Sequence, residues 1–354
     1  MKRAVKKEAP KLSEQVKRSH EARSKPQEDT TYDGNFMVVT STGSTELDLA
    51  ISGGVVPGGG IPGGIFVEVA GPSGCGKTVL LIEVAGNIQR KGGDSKFDDP
   101  EGRLNKVFAK IFNYDITLVD HKRPDTVTEV FKAVRSWIPK GTPGALNAIF
   151  TDSLAALSTD MEMENEEGDK MGGRRAKEFS EQLRKTCRTL ANENWLMMCS
   201  NQLRENMSGY GDKLQSPGGK AVGFYASLRL RATKVEKVWG EALQAGKKIK
   251  KPIGIKTTWE INKSSVWKPF RTAVVYTIFD YGIDDVRGNL QYVKDYTKNT
   301  IYTCVDIPLD VSMAKSIQMV EENGYEKRLR RQVIKLWEEI ESKFETERKP
   351  KQRV

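Results

Sequence analysis

Histidine is almost missing from this chain, with two in 354 residues, His20 and His121. A histidine-rich metal centre, or a mechanism passing protons through several imidazoles, is thereby excluded. Cysteine is scarce as well. Cys75, Cys187, Cys199 and Cys304 lie far apart and form no CxxC pair, so neither a structural zinc nor a disulfide framework is expected, and the thiols fit a reduced, cytoplasmic compartment. No apolar run reaches the roughly 20 residues that a membrane span needs. The basic N-terminus has no hydrophobic stretch behind it, which argues against a secretory signal. What is present is an ordinary globular composition, 38% hydrophobic and 29% charged, in a chain long enough for one sizeable core and one or two small appendages.

The net charge of +10 is unevenly placed. Residues 1–25 carry nine Lys/Arg against three Glu, and residues 324–354 carry ten against six, so the two ends hold the whole excess. Basic ends on a balanced body suit contact with a polyanion such as nucleic acid, and equally suit simple solubility. Residues 1–40 read as a basic, polar arm and linker, with at most one short helix around Leu12–Arg23. From Ser41 the texture changes to a core that runs to 282. The apolar run Ile65–Ala70 predicts a buried strand ending at a glycine, and Val79–Gln89 has helical spacing. Strands are expected at 145–150, 195–200, 227–233, 255–261 and 273–279, with a helix over 174–192. This alternation predicts an α/β fold with a mostly parallel central sheet and helices on both faces. Residues 283–354 are expected to form a small C-terminal α/β domain. Its last helix would carry Leu329, Val333, Trp337, Ile340 and Phe344 on one stripe, and the chain ends in a basic tail.

Between the first strand and its helix stands Gly71-Pro72-Ser73-Gly74-Cys75-Gly76-Lys77-Thr78, a full match to GxxxxGK[ST]. Glycines let the backbone turn its N–H groups inward around phosphates, and the helix N-terminus adds a positive dipole end. Lys77 is the point charge for the β/γ-phosphates, and the Thr78 hydroxyl is placed for Mg²⁺. Hydrolysis also requires a carboxylate near the metal at a neighbouring strand end, which Asp152 supplies, and a group that orients the attacking water. Glu101, Asp98 and Asp99 are all candidates for that last role. By itself the motif implies an ATPase or GTPase with the base unassigned.

Ser41-Thr-Gly-Ser44, the phosphate loop, Phe97–Asn105, Asp152–Leu157, Ser200–Arg204 and Gly218-Gly219-Lys220 stand in that order, and together they resemble the RecA family of bacterial and phage recombinases. Ser41-Thr-Gly-Ser44 with Leu47-Asp48 resembles the family's entry to its core. Phe97–Asn105, continuing to Tyr114-Asp-Ile116, resembles its stretch with the catalytic glutamate, and Glu101 stands 24 residues after Lys77, the family's spacing. Asp152–Leu157 resembles the Walker B strand end. Ser200–Arg204 resembles the switch in which a glutamine, here Gln202, senses the γ-phosphate. Gly218-Gly219-Lys220 and Phe224–Ser227 resemble the segment that closes the DNA loop. The resemblance covers Ser41 to Tyr281. It implies a P-loop core of RecA type, ATP and Mg²⁺ as cofactors, and nucleotide contacts from Gly71 to Val79, Asp152, Gln202 and Lys263.

The same resemblance implies two DNA-binding loops. The first lies near 161–173, with Arg174, Arg175 and Arg184 close by. The second lies near 203–217, with Arg204, Tyr210 and Lys213, and is closed by Gly218, Gly219 and Lys220. It further implies a helical filament of identical subunits on single-stranded DNA, pairing with homologous double-stranded DNA, and single-strand-binding or mediator proteins as partners, with no membrane. Residues 30–40, through Phe36 and Met37, are a candidate for docking on the neighbouring subunit. Some features depart from the family. The first loop holds Glu162, Glu164, Glu166 and Glu167, which repel phosphates. Ser265 stands where a second cross-subunit lysine is expected beside Lys263. The C-terminal region lacks the acidic tail common among bacterial members and ends basic, which, with the divergent loops, tilts the reading towards a phage-encoded or otherwise divergent member. A hexameric helicase or repair ATPase on the same core would call for an additional domain or zinc cluster. A degenerate mediator is disfavoured, because Lys77, Thr78, Glu101, Asp152 and Gln202 are all intact.

Overall fold

The computed structural model of the protein describes residues 38–164, 172–205, 214–215 and 220–348. The first helix among the described residues is α1 (Thr45–Ser52), whose Leu47 N–H is capped by the Ser44 side chain. Alternation then sets in: β1 (Phe66–Gly71), α2 (Lys77–Arg90), β2 (Ser95–Asp98), α3 (Lys106–Ile111), β3 (Asp120–Lys122), α4 (Val127–Ser136) and β4 (Ala148–Thr151). After α5 (Asp160–Glu164) and α6 (Gly172–Glu193) come β5 (Leu196–Gln202), α7 (Lys220–Tyr225), β6 (Leu228–Gln244), β7 (Lys247–Ser264), β8 (Thr272–Ile278) and β9 (Gly282–Ile283). Helices α8 (Asp285–Tyr296), α9 (Met313–Glu322) and α10 (Glu326–Ser342) follow.

The nine strands lie in the order β9-β8-β7-β6-β1-β5-β4-β2-β3. Neighbours from β6 to β3 run parallel, and those from β6 to β9 antiparallel. The central strands are continuous apolar runs because both faces are covered, and the pleat divides them residue by residue. Val67, Val69, Ala148, Phe150, Leu196 and Met198 pack with Leu81, Val84 and Ile88 of α2. Phe66, Ile149, Met197 and Cys199 face the other way, against Val130, Phe131 and Val134 of α4 and Phe179, Leu183 and Leu190 of α6. The expected mostly parallel sheet with helices on both faces is therefore present.

Two segments differ from their expected extent. In α10, Leu329, Val333 and Trp337 are buried in a third cluster with Leu290 and Val293 of α8 and Leu49 of α1. Phe344 lies past the helix end and is 74% exposed. The strands expected at 227–233 and 255–261 are the bases of one long hairpin with strands of 17 and 18 residues. Ala245 and Gly246, both at positive φ (48° and 74°), make its two-residue turn, whose twist matches that of the ribbon. β6 pairs with β1 over Leu228–Arg231, and β7 with β8 over Gly254–Glu260 with flanking backbone bonds at Ile253 and Ile261, so among the described residues the distal ribbon is paired only with itself. The helix expected around Leu12–Arg23 lies outside the described residues, as does the docking segment at Phe36 and Met37.

Candidate nucleotide site and nucleic-acid face

Strand β1 is buried throughout and delivers the chain at Gly71 to the C-terminal end of the parallel strands, where the phosphate loop begins. Gly74 and Gly76 hold φ of +73° and +92°, a left-handed conformation that side-chain-bearing residues rarely adopt. The turn leads directly into α2, so backbone N–H groups and the helix N-terminus face the same side. The loop is braced from behind by Thr257 Oγ1 of β7, which donates to the Cys75 carbonyl at 3.0 Å. Burial pushes the Cys75 thiol up, keeping it protonated and inert. Lys77 Nζ lies across the loop, donating to the carbonyls of Gly71 at 3.0 Å and Pro72 at 2.8 Å.

Three strand ends converge beside this loop. Asp152 follows β4, and its N–H donates to the Asp98 carbonyl at the end of β2. Its carboxylate accepts from Thr78 Oγ1 at 2.5 Å and from Ser200 Oγ of β5. Burial raises the Asp152 carboxyl above its ordinary range, opposed by those two hydrogen bonds. A hydroxyl and a carboxylate from different elements form a hard oxygen pair suited to Mg²⁺, which takes one or two protein oxygens and completes its shell with phosphate and water. The register of β1 and β5 sets Gln202 opposite Gly71 and Asn201 opposite Ala70. Gln202 is exposed at the mouth of the loop, whereas Asn201 is buried and donates to Glu68 at 3.0 Å.

The three acidic candidates for the water-orienting group now separate. Asp98 is buried and paired with Lys96 at 3.0 Å, and burial raises its carboxyl to about 6. Asp99 is buried too, and its oxygens accept from the N–H groups of Arg103 at 3.1 Å and Leu104 at 2.9 Å, closing a tight turn. Asp98 thus neutralises a buried lysine, and Asp99 serves the backbone. Glu101, at the tip of that turn, accepts from Ser153 Oγ at 2.7 Å, next to the Asp152 cluster. Sequence reasoning gave Ser153 and Ser200 no role of their own. Their signal was adjacency, since each stands beside a residue already singled out.

A family model described as the RecA N-terminal domain matches residues 29–284. The chain belongs to the RecA family. Protein RecA of Thermus thermophilus is 35% identical over 249 residues, 70% of this chain and 69% of the relative. Protein RecA of Clostridioides difficile is 32% identical over 258 residues, 73% of this chain and 70% of the relative. That of Delftia acidovorans is 34% identical over 246 residues, covering 69% and 63%. At about a third identity this is a divergent member of a family of ATP-dependent recombinases. No helix among the described residues is long and apolar enough to cross a membrane.

The remaining predicted residues of this RecA-family chain fall in different places. Lys263 is not beside its own chain's phosphate loop. It pairs in register with Arg229, and its ammonium donates to the carbonyls of Gly223 at 3.0 Å and Phe224 at 2.7 Å at the end of α7. Burial lowers its pKa, and Arg229 adds to that. Arg229 in turn donates to the fully buried Glu68 at 2.6 Å.

Arg184 and Lys220 are exposed. Arg175 is engaged inward: it donates to the carbonyls of Leu154 at 3.3 Å and Ala155 at 3.2 Å, and its guanidinium lies 5.9 Å from the Phe179 ring. Glu162 is likewise occupied: its carboxylate accepts from the Thr159 N–H at 2.7 Å, while Thr159 Oγ1 accepts from the Glu162 N–H at 3.1 Å. It therefore caps α5. Tyr210, Lys213, Gly218 and Gly219 lie outside the described residues, as do Glu166 and Glu167 and the side chains of Arg174, Arg204 and Glu164.

Proposed function

We propose that this chain is an ATP-dependent DNA recombinase that forms helical filaments on single-stranded DNA and pairs it with a homologous duplex. The observation that carries the reading is the register placing Gln202 opposite Gly71. A side chain at the phosphate loop thus heads the segment 203–217, the second DNA loop, so nucleotide state and DNA grip share one strand end. Lys77 holds the β/γ-phosphates, and Thr78 and Asp152 hold Mg²⁺, which when bound offsets charge on the phosphate oxygens. Glu101 orients the attacking water and accepts its proton as the bond to the ADP oxygen breaks. Gln202 orders the DNA loop while the γ-phosphate is in place, and hydrolysis releases the grip.

Lys263 reaches the ATP of the adjacent subunit, so the filament interface and the nucleotide are coupled. Arg174, Arg184, Arg204, Lys213 and Lys220 contact DNA phosphates without reading bases, and Tyr210 stacks against them. The distal ribbon of β6 and β7 supplies a second cationic face. Residues 234–253 carry six lysines against two glutamates, and a two-stranded ribbon fits the duplex major groove. Single-strand-binding or mediator proteins are its expected partners, in the cytoplasm.

The test is the ATPase rate with and without single-stranded DNA, with negative-stain imaging of the same samples. Strong stimulation together with helical filaments in ATP is the expected result. Closed rings with translocation-like stimulation would move the reading to a hexameric helicase or repair ATPase. No stimulation and no assembly would overturn the DNA reading altogether.

A further inference from the structure

Glu101 is held on two sides by partners of different kinds. Its side chain is only 14% exposed, Oε1 accepts from Ser153 Oγ at 2.7 Å, and Oε2 faces Arg103 Nη1 at 2.8 Å. Ser153 is buried and continuous with Asp152, so it belongs to the rigid strand end. Arg103 is 75% exposed. Its backbone is fixed by Asp99, yet among the described residues its guanidinium has no second partner. One contact is built into the core, and the other can be withdrawn without disturbing anything else.

That asymmetry has a consequence for turnover. Oε1 accepts from Ser153, and the Arg103 guanidinium is ion-paired with Oε2 at 2.8 Å, so a water approaching Oε2 competes with that guanidinium for the oxygen. The inference rests on Glu101 being the base. We infer that Arg103 restrains it: the guanidinium covers Oε2, and hydrolysis requires it to swing away, while Ser153 keeps Oε1 in position throughout. Arg103 is thus a positioning residue acting through Glu101. A second cation lies over the same turn, since the Arg123 guanidinium comes within 3.1 Å of where a Gly102 Cβ would sit. Two guanidiniums at one exposed turn attract an anion, and nucleic-acid phosphate arriving there draws Arg103 off, so DNA binding frees the base.

The experiment measures ATP turnover and KM for the full chain, without and with single-stranded DNA. Arg103→Ala is expected to raise DNA-free kcat about threefold, the scale of an exposed ion pair, and to lower the DNA stimulation factor in proportion. KM should not move. Arg103→Lys should fall between wild type and Arg103→Ala, because an ammonium makes a single point contact where the guanidinium makes a planar one. The gain must vanish in a Glu101→Gln background. Unchanged or lower DNA-free turnover in Arg103→Ala, with ATP binding intact, overturns the inference. So does an equal gain when Glu101 is already Gln, because the effect would then bypass the base. Wild-type turnover in Glu101→Gln alone would instead remove the base assignment itself. An inactive Glu101→Gln beside an unaccelerated Arg103→Ala removes only the restraint.

Discussion

The same sheet ends in two ways. Where β1, β4 and β5 stop, hydroxyls, carboxylates and backbone groups are bound to one another before any ligand arrives, as in the contacts of Thr78, Ser200 and Asp152. Where β6 and β7 run on past their neighbours, the ribbon keeps, among the described residues, only its own cross-strand pairs. Two tryptophans on this one hairpin make the contrast concrete. Trp259, opposite Ala232, is 2% exposed in the main core. Trp239 is 49% exposed, with the ammonium groups of Lys237 and Lys250 5.8 and 5.9 Å from its ring. Leu243, at 73% exposure, sits nearby on the ribbon. A lone two-stranded ribbon is marginal in water, and exposed apolar groups among cations mark a surface with a partner. Preorganisation belongs to the chemistry, and adaptability to the contact with a polymer.

The largest expected effect sharpens the first half of that contrast. Glu101→Gln should reduce turnover by about 10²–10⁴-fold, the scale of removing a general base, while ATP and DNA binding persist. Single-turnover hydrolysis beside nucleotide binding measures both. Equal loss of binding would mean that Glu101 holds the nucleotide rather than the water. Next comes Trp259→Ala, which empties a packed site and should cost about 3–5 kcal/mol in denaturant unfolding. A small change there would mean that the hairpin base is as loosely held as its tip.

A cut between the two halves comes third. Val238 and Gly254 are directly paired, so an Asn-Gly turn replacing residues 239–253 should close a shorter hairpin in register. DNA-free ATP hydrolysis is expected to be unchanged, and affinity for duplex DNA to fall by about tenfold at fixed salt, because Lys247, Lys248, Lys250 and Lys251 are removed. Unchanged duplex affinity would assign the ribbon another task.

These expectations follow the line between what was legible in the sequence and what was not. β1, β4 and β5 were legible because both their faces are covered, which leaves unbroken apolar runs such as Ile65–Ala70. β2 was not, because Ser95-Lys96-Phe97-Asp98 looks like polar loop. It is fully buried, with Lys96 neutralised by Asp98 at 3.0 Å and Asp120 at 3.1 Å, and no periodicity announces a buried ion pair. The phosphate loop, Thr78 and Asp152 were readable from local pattern and come together in space. Glu101 needed the family spacing, and geometry then gives Asp98 and Asp99 other duties. Arg175, read from the sequence as a DNA contact, donates from one guanidinium nitrogen to the Leu154 and Ala155 carbonyls, a placement that charge pattern alone does not announce. The distal ribbon escaped because its alternation is masked by lysines on both faces. Counting charge at the two ends also concealed its local surplus.

The smallest effect is the most discriminating. Trp239→Ala removes a half-exposed ring that touches no core, so the stability change should stay under about 1 kcal/mol. The ring nonetheless lies between Lys237 and Lys250, and an aromatic face orders ammonium groups that otherwise sample many rotamers. Losing that order should weaken duplex binding by about threefold, less than the shortened hairpin, because the lysines themselves remain. Fluorescence anisotropy with a labelled duplex, beside a urea melt of the same sample, reads both quantities. A stability loss approaching that of Trp259→Ala would mean that the ribbon tip is packed in solution, and the contrast between the two ends of the hairpin would collapse. Weaker binding with unchanged stability would instead place the ring's contribution in the complex alone.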